Sequence, residues 1–184
     1  KYNTLDEIES FTAEKIRDKN IIGWFQGKSE FGQRALGNRS ILADPTKNDI
    51  KDIVNSSIKY REGFRPFAPS VLEEKQNEYF TIPKNQNAFF MEKVFKFKSK
   101  HKDELPAVVH FDGSGRLQTV SKKINPKYHK LITEFEKLSG HPVLLNTSFN
   151  VNGMPLVETP ADAINCFYQS GIDYLIMNNI VISK

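Results

Sequence analysis

"HPVLLNTSFNVNG", His141 to Gly153, changes character within one residue: Val143, Leu144 and Leu145 are apolar, and Asn146, Thr147, Ser148, Asn150 and Asn152 follow. The apolar run is strand-like, and the polar run starts where that strand would end. A switch of this kind at the carboxyl end of a strand is where α/β proteins often place ligands. A polar turn whose Asn and Ser side chains bond their own backbone would show the same pattern. What surrounds the strand decides between them.

Six other runs are strand-like: "IIGWFQ" (21–26), "FAPSVL" (67–72), "NAFFMEKVFKF" (87–97), "AVVHFD" (107–112), "RLQTVS" (116–121) and "YLIMNNIVIS" (174–183). "DGSG", Asp112 to Gly115, and Asn178-Asn179 are expected hairpin turns. Four helices are expected between the strands. Thr4 and Glu7 have capping-box spacing ahead of a face made by Leu5, Ile8, Thr12 and Ile16. Ile50, Ile53, Val54 and Ser57 or Ile58 mark the second. Asn125-Pro126 opens the third, which carries Leu131, Ile132, Phe135 and Leu138 and stops at Gly140. Thr159-Pro160 opens the fourth, with Ile164 and Phe167 inward and Gly171 at its end. Strands outnumber helices, so the fold class is α/β (α+β): a twisted, mixed, largely antiparallel sheet flanked by helices.

The chain of 184 residues, 39% hydrophobic and 26% charged, is globular in composition and long enough for one good core, and a single domain over 1–184 is expected. No apolar run approaches 18 residues, so no membrane partner is expected. The chain begins "KYNTLDEIES" without Met, as a fragment of a longer protein would. Its one cysteine, Cys166, rules out a disulfide framework, fits a reducing cytoplasm, and is expected to be an inert core thiol. The net charge of +4 comes formally from one stripe: without Lys96, Lys98, Lys100 and Lys102, the 26 basic residues would fall to the number of acidic ones, 22. A lysine-guarded edge strand or solvated face explains the stripe better than a nucleic-acid track.

Basic and amide side chains collect at turns. "FGQRALGNRS", Phe31 to Ser40, puts Arg34 and Arg39 on a turn flanked by Gly32 and Gly37, where backbone N–H groups could approach an oxyanion and guanidinium forks could match it. Arg39 is expected instead to tie the loop down through carboxylates such as Asp44. "IKYREGFRPFAPS" carries Lys59, Arg61 and Arg65 within seven residues, which repel one another unless solvated or neutralised by an anion. Arg116 follows the "DGSG" turn. There is no Walker loop, no nucleophile elbow and no dinucleotide fingerprint, and His101, His110, His129 and His141 lack metal-ligand spacing. His110 and Asp112, two apart on an expected strand, are expected to be an ordinary satisfied pair. A set rich in Arg, Lys, Ser and Asn but poor in His and carboxylate suits binding a phosphorylated substrate and stabilising charge on phosphoryl oxygens.

"GWFQGKSEFGQRALGNRSILADP", "IKYREGFRPFAPSVLEE", "LPAVVHFDGSGRLQTVS" and "GHPVLLNTSFNVNGMPLVETPADAI" together resemble, in this order, the C-terminal domain of the NodU/CmcH-type O-carbamoyltransferases, from about Ile21 onward. The resemblance implies a YrdC-like fold that binds carbamoyl phosphate and ATP and forms carbamoyl adenylate and pyrophosphate. The carbamoyl group then passes to a hydroxyl acceptor in an actin-like N-terminal domain that carries iron, and no part of this chain resembles that domain. Mg²⁺ would accompany the triphosphate, although no carboxylate cage for it is evident. The resemblance further implies that Arg34, Lys59, Arg65, Arg116 and Ser148 hold carbamoyl phosphate and the ATP phosphates, with Arg34, Lys59 and Arg65 acting in catalysis and Arg61, Asn146 and Asn150 as neighbours. Gln33 stands where the family usually has proline, and "DGSGR" replaces the more usual "DGTAR"; both loosen backbone without removing charge. Two other readings remain at this stage, a threonylcarbamoyl-AMP synthase-like domain of tRNA modification and a non-catalytic RNA-binding module.

Overall fold

The computed structural model describes residues 2–184. Its strands are β1 (Tyr2–Thr4), β2 (Ile22–Phe25), β3 (Arg39–Ala43), β4 (Ala68–Leu72), β5 (Phe80–Thr81), β6 (Lys93–Phe97), β7 (Ser114–Val120), β8 (Val143–Ser148), β9 (Tyr174–Met177) and β10 (Ile180–Ser183). The helices are α1 (Ile8–Arg17), α2 (Ile50–Ser57), α3 (Gln76–Tyr79), α4 (Pro126–Ser139) and α5 (Pro160–Gln169). The strands form one sheet in the order β1-β10-β9-β2-β3-β8-β4-β7-β6-β5. Only β2–β9 and β4–β7 pair in parallel, so the sheet is mixed and largely antiparallel.

Alternation along the central strands explains the layering. Ile22, Trp24, Leu42, Leu144 and Ile176 point to one face, where Ile8, Ala13 and Ile16 of α1 and Tyr128, Leu131, Ile132 and Phe135 of α4 cover them. Phe25, Ile41, Ala43, Val143, Leu145 and Leu175 point to the other, under Ile50 and Val54 of α2 and Ala163 and Phe167 of α5. Burying both faces requires apolar residues at successive positions, which is why these strands look like continuous hydrophobic runs.

Two helix starts follow their expected signals. The Asn125 side chain accepts from the Tyr128 N–H at the start of α4, and Thr159 and Asp162 form a reciprocal capping box at the start of α5. Gly140 ends α4 in the left-handed region, and the Asn178-Asn179 turn joins β9 to β10.

Other expectations are corrected. Thr4 belongs to β1, and α1 starts after Glu7 with no side-chain cap, so the Thr4/Glu7 capping box does not form. Ile53 and Leu138 lie exposed on the outer sides of their helices. "AVVHFD" is not a strand: Val108 N–H closes a turn onto the Leu105 carbonyl, and Ala107 N–H bonds the Pro45 carbonyl. "DGSG" is therefore a turn into β7 with no partner strand before it. The Lys stripe occupies β6 and the 3-10 turn Ser99–His101, and Lys96 on its exposed side pairs with Asp112 at 2.8 Å. β5 pairs with Phe97 and Lys96 and is the last strand of the sheet, so β6 is not its edge; of the two readings of the stripe, the structure has the solvated face. β1, β3 and β5 complete the sheet without having been expected, and neither was the short helix α3.

Candidate functional site

β8 runs antiparallel to both β3 and β4, with Ser40 opposite Ser148 and Ala68 opposite Asn146. The carboxyl end of β8 therefore lies beside the starts of β3 and β4, and β7 starts at the same end because it is parallel to β4. The polar switch after Leu145 opens into a cavity of about 310 Å³ at this end of the sheet, lined among others by Arg34, Arg61, Arg65, His110, Arg116, Asn146 and Ser148. Four guanidinium groups from two separate loops and one strand face one space, and among the described residues that line it there is no carboxylate.

Each arginine is held differently. Arg61 Nε donates to Asn55 Oδ1 at 2.7 Å, and its guanidinium lies 5.0 Å from the centre of the Phe67 ring. Asn55 also donates to the Arg65 carbonyl at 3.1 Å, so one buried amide from α2 shapes this turn. Arg65 is exposed and pairs with Glu62 at 2.8 Å. Arg116 rises from β7; burial, then the charges of Arg34 and Arg61, pull its pKa below the ordinary value, and its buried Nε has no partner. A guanidinium remains charged despite such a shift, so crowding here stores repulsion that an anion would relieve.

Lys59 and Asn150 do not line the cavity; they stand behind Ser148. Lys59, 4% exposed, donates from Nζ to the Ser148 carbonyl at 2.5 Å, the Ser148 hydroxyl at 3.2 Å, the Asn150 carbonyl at 2.9 Å and Asn150 Oδ1 at 2.8 Å. Four oxygens favour the ammonium, yet burial, then Arg61, pull its pKa down to about 7. This cluster separates the arginine cavity from a second one of about 280 Å³ beside α5, lined among others by Asn150, Leu156 and Cys166. The Cys166 thiol is buried and pushed up by that burial, as an unreactive core thiol should be.

The loop carrying Arg34 is fixed from behind. Glu30 Oε1 accepts the N–H groups of Leu36 at 2.7 Å, Asn38 at 2.7 Å and Arg39 at 3.3 Å. Asn146 Nδ2 holds the Ala35 carbonyl at 3.1 Å, and Gln118 Nε2 holds the Leu36 carbonyl at 2.8 Å. Arg39 is structural as expected, but through carbonyls: its guanidinium donates to Gln26 O at 2.8 Å and Gly27 O at 3.0 Å and stacks 3.5 Å from the Phe25 ring centre. Asp44 pairs with Lys47 instead, at 3.4 Å. Gly37 is likewise structural: a Cβ there would run into the Tyr128 ring, and its N–H is taken by Ser40 Oγ at 3.0 Å.

His110 and Asp112 are joined through a turn rather than along a strand. Ser114 Oγ lies 2.6 Å from Asp112 Oδ1 and 3.1 Å from His110 Nδ1. Glu30, Asn55 and Gln118 are thus parts of the site that spacing did not single out, and His110, read from its spacing as half of an ordinary pair, also lines the cavity. Their roles depend on which loop folds over which strand, and only the gap between Glu30 and Arg39, within one turn motif, was visible in the chain.

This combination defines a YrdC-like α/β fold with an arginine-rich cavity at the end of its sheet. Full-length HypF in its phosphate- and nucleotide-bound form superposes with a TM-score of 0.65 over 94% of this chain and 25% of that one, at 12% identity. P. abyssi Sua5 complexed with L-threonine gives 0.61 over 92% of this chain and 46% of that one, at 14% identity. The chain belongs to the Carbamoyltransferase C-terminus family, whose model matches residues 13–184. Nodulation protein NolNO of Sinorhizobium fredii is 50% identical over 180 residues, covering 97% of this chain and 26% of that protein. The chain thus spans about a quarter of NolNO and corresponds to its C-terminal domain, as the NodU/CmcH resemblance implied.

Proposed function

We propose that this domain binds carbamoyl phosphate and ATP and forms carbamoyl adenylate, which an N-terminal domain of the same protein uses to carbamoylate a hydroxyl acceptor. The observation that carries this reading is the convergence of Arg34, Arg61, Arg65 and Arg116 on one carboxylate-free cavity. Such a cavity favours ligands with several negative charges, and a carbamoyl phosphate beside a triphosphate supplies them. A continuous RNA-binding face would need these arginines on the open surface with the Lys96 stripe, and they line a recess instead.

Atom balance requires one water. Carbamoyl phosphate gives up inorganic phosphate and leaves carbamate, whose oxygen attacks the α-phosphorus of ATP as pyrophosphate departs. The arginines hold the phosphoryl oxygens in line and offset the charge that grows on them, which demands positioning more than proton abstraction. Lys59 supports this from behind by fixing Ser148. Among the described residues no group of three or more His, Cys, Asp or Glu is placed to hold a metal, so a Mg²⁺ entering with ATP would ride on triphosphate oxygens. The family's iron belongs to the N-terminal domain in this reading. Among the described residues no helix is long and apolar enough to cross a membrane, and a free buried Cys166 suits a cytoplasmic setting.

Calorimetric titration with carbamoyl phosphate, with and without a non-hydrolysable ATP analogue and against inorganic phosphate, tests the proposal. Saturable binding stronger than that of phosphate, lost in a folded Arg34→Glu variant, is expected. Binding no tighter than that of phosphate would overturn it.

A further inference from the structure

Two buried polar atoms of the cavity's lining residues have no partner, and they are of opposite kinds. Arg116 Nε–H is a donor and Asn146 Oδ1 is an acceptor. The orientation of the Asn146 amide is fixed by groups that can only accept. Gln118 Nε2 donates to the Leu36 carbonyl, so Gln118 Oε1 faces Asn146; Asn146 Nδ2 then donates to that oxygen at 2.8 Å and to the Ala35 carbonyl at 3.1 Å. Ser70 Oγ donates to the same Gln118 oxygen at 2.5 Å, which holds the pair in register. With both Nδ2 hydrogens spent, Oδ1 is left as an acceptor among arginine donors.

An unpaired acceptor at 1% residue exposure is costly in the free chain, and a ligand that supplies an N–H relieves that cost. Phosphate and acyl phosphates carry no N–H. A carbamoyl group does, and it presents an NH₂ donor and a C=O acceptor side by side, the complement of Asn146 Oδ1 and Arg116 Nε–H. We infer that Asn146 is the residue that selects the carbamoyl group, its Oδ1 accepting from the ligand NH₂ while Arg116 donates to the carbonyl oxygen. The inference rests on the carbamoyl phosphate reading and adds a discrimination to it: the site distinguishes H₂N–C(=O)– from the isosteric CH₃–C(=O)–. Carbamate keeps the same NH₂, so the contact serves both stages of the reaction. Rejection of an analogue lacking the donor is strong where a buried acceptor would be left unpaired, and weak where only shape is read.

The test uses two stable phosphonates that differ only in that group, phosphonoacetamide and acetonylphosphonate, titrated calorimetrically into the chain. The wild type is expected to bind phosphonoacetamide about tenfold more tightly or better. In Asn146→Ala the gap should close to within about twofold, while both affinities fall together because the Ala35 carbonyl loses its anchor; a cooperative urea transition reports the intact fold. Equal affinities in the wild type would overturn the selection by Asn146 while leaving an acyl-phosphate-type site in place. A gap that persists in the folded variant would also overturn it, by assigning the amide contact elsewhere. Failure of both phosphonates to bind would remove the carbamoyl phosphate reading and this inference with it.

Discussion

Lys59 Nζ lies 2.8 Å from Asn150 Oδ1, and the Ser148 hydroxyl donates to that same oxygen at 2.7 Å. Two residues expected to touch ligand, Lys59 and Asn150, therefore act on Ser148, which does line the cavity. Replacing the ammonium by a methyl thioether of similar length removes four hydrogen bonds at once and leaves their oxygens unpaired. Lys59→Met is expected to weaken carbamoyl phosphate binding by about tenfold and to destabilise the fold by roughly 1–3 kcal/mol. Parallel calorimetry and urea unfolding check this; unchanged binding in a destabilised variant would confine Lys59 to a structural role.

Burial also gives Lys59 a pH signature. Its pKa is about 7 in the folded chain against an ordinary 10.5, so between these values the unfolded chain holds a proton that the folded chain has released. Stability contributed by this group therefore rises with pH across that window, is flat below about 7 where both states are protonated, and levels off above 10.5. Relative to Lys59→Met, the wild type should gain stability from pH 7 to 10, by an amount on the order of a few kcal/mol. Urea unfolding of both proteins across that range checks it, and a constant difference between them would show that the lysine titrates normally.

The distribution of legible and hidden features follows from the range of the interactions involved. Asn125 before Pro126 and Thr159 before Pro160 announce helices because each cap acts within one turn, and the structure contains both. Thr4 and Glu7 carry the same spacing, but pairing of Thr4 with Ile180 takes it into a strand, a contact no local pattern reveals. Strand β3 was hidden because it begins with Arg39 and Ser40, polar residues that are buried only after Glu30, Gln26 and Ser148 close around them. The apolar "AVVHFD" looked like a strand and folds as turns, because a short apolar run carries no period of its own. The arginines of the site were legible by type and density. That Arg116 and Asn146 share one cavity depends on the order of β8, β4 and β7 in the sheet, which spacing along the chain does not encode.

Glu30 gives a test of how the loop is positioned. Its Oε1 accepts three backbone N–H groups on the loop that presents Arg34, and its Oε2 is buried without a partner. Glu30→Ala orphans all three donors, whereas Glu30→Gln keeps an acceptor and removes only the charge. Stability should fall by about 1–3 kcal/mol in the alanine variant and by less than half of that in the glutamine variant, with carbamoyl phosphate affinity ranked in the same order. Equal binding by all three proteins would show that the Arg34 loop keeps its place without this carboxylate.

The two glycines that flank Arg34 should respond differently to the same substitution. Both have positive φ, +125° at Gly32 and +105° at Gly37, so alanine strains the backbone at each. At Gly32 an added Cβ meets nothing within 4 Å, and the cost is limited to that strain, about 1 kcal/mol. At Gly37 the Cβ would overlap the Tyr128 ring, which is fully buried between α4 and the sheet and has no room to retreat. Overpacking then adds to the strain, and Gly37→Ala should cost about 3 kcal/mol or more. It should also disturb the Ala35 and Leu36 carbonyls that Asn146 and Gln118 hold, and so weaken ligand binding, while Gly32→Ala leaves these contacts alone. Thermal unfolding with carbamoyl phosphate titration separates the two. A Gly32→Ala variant as damaged as Gly37→Ala would show that backbone conformation, not the packing of Tyr128, governs this turn.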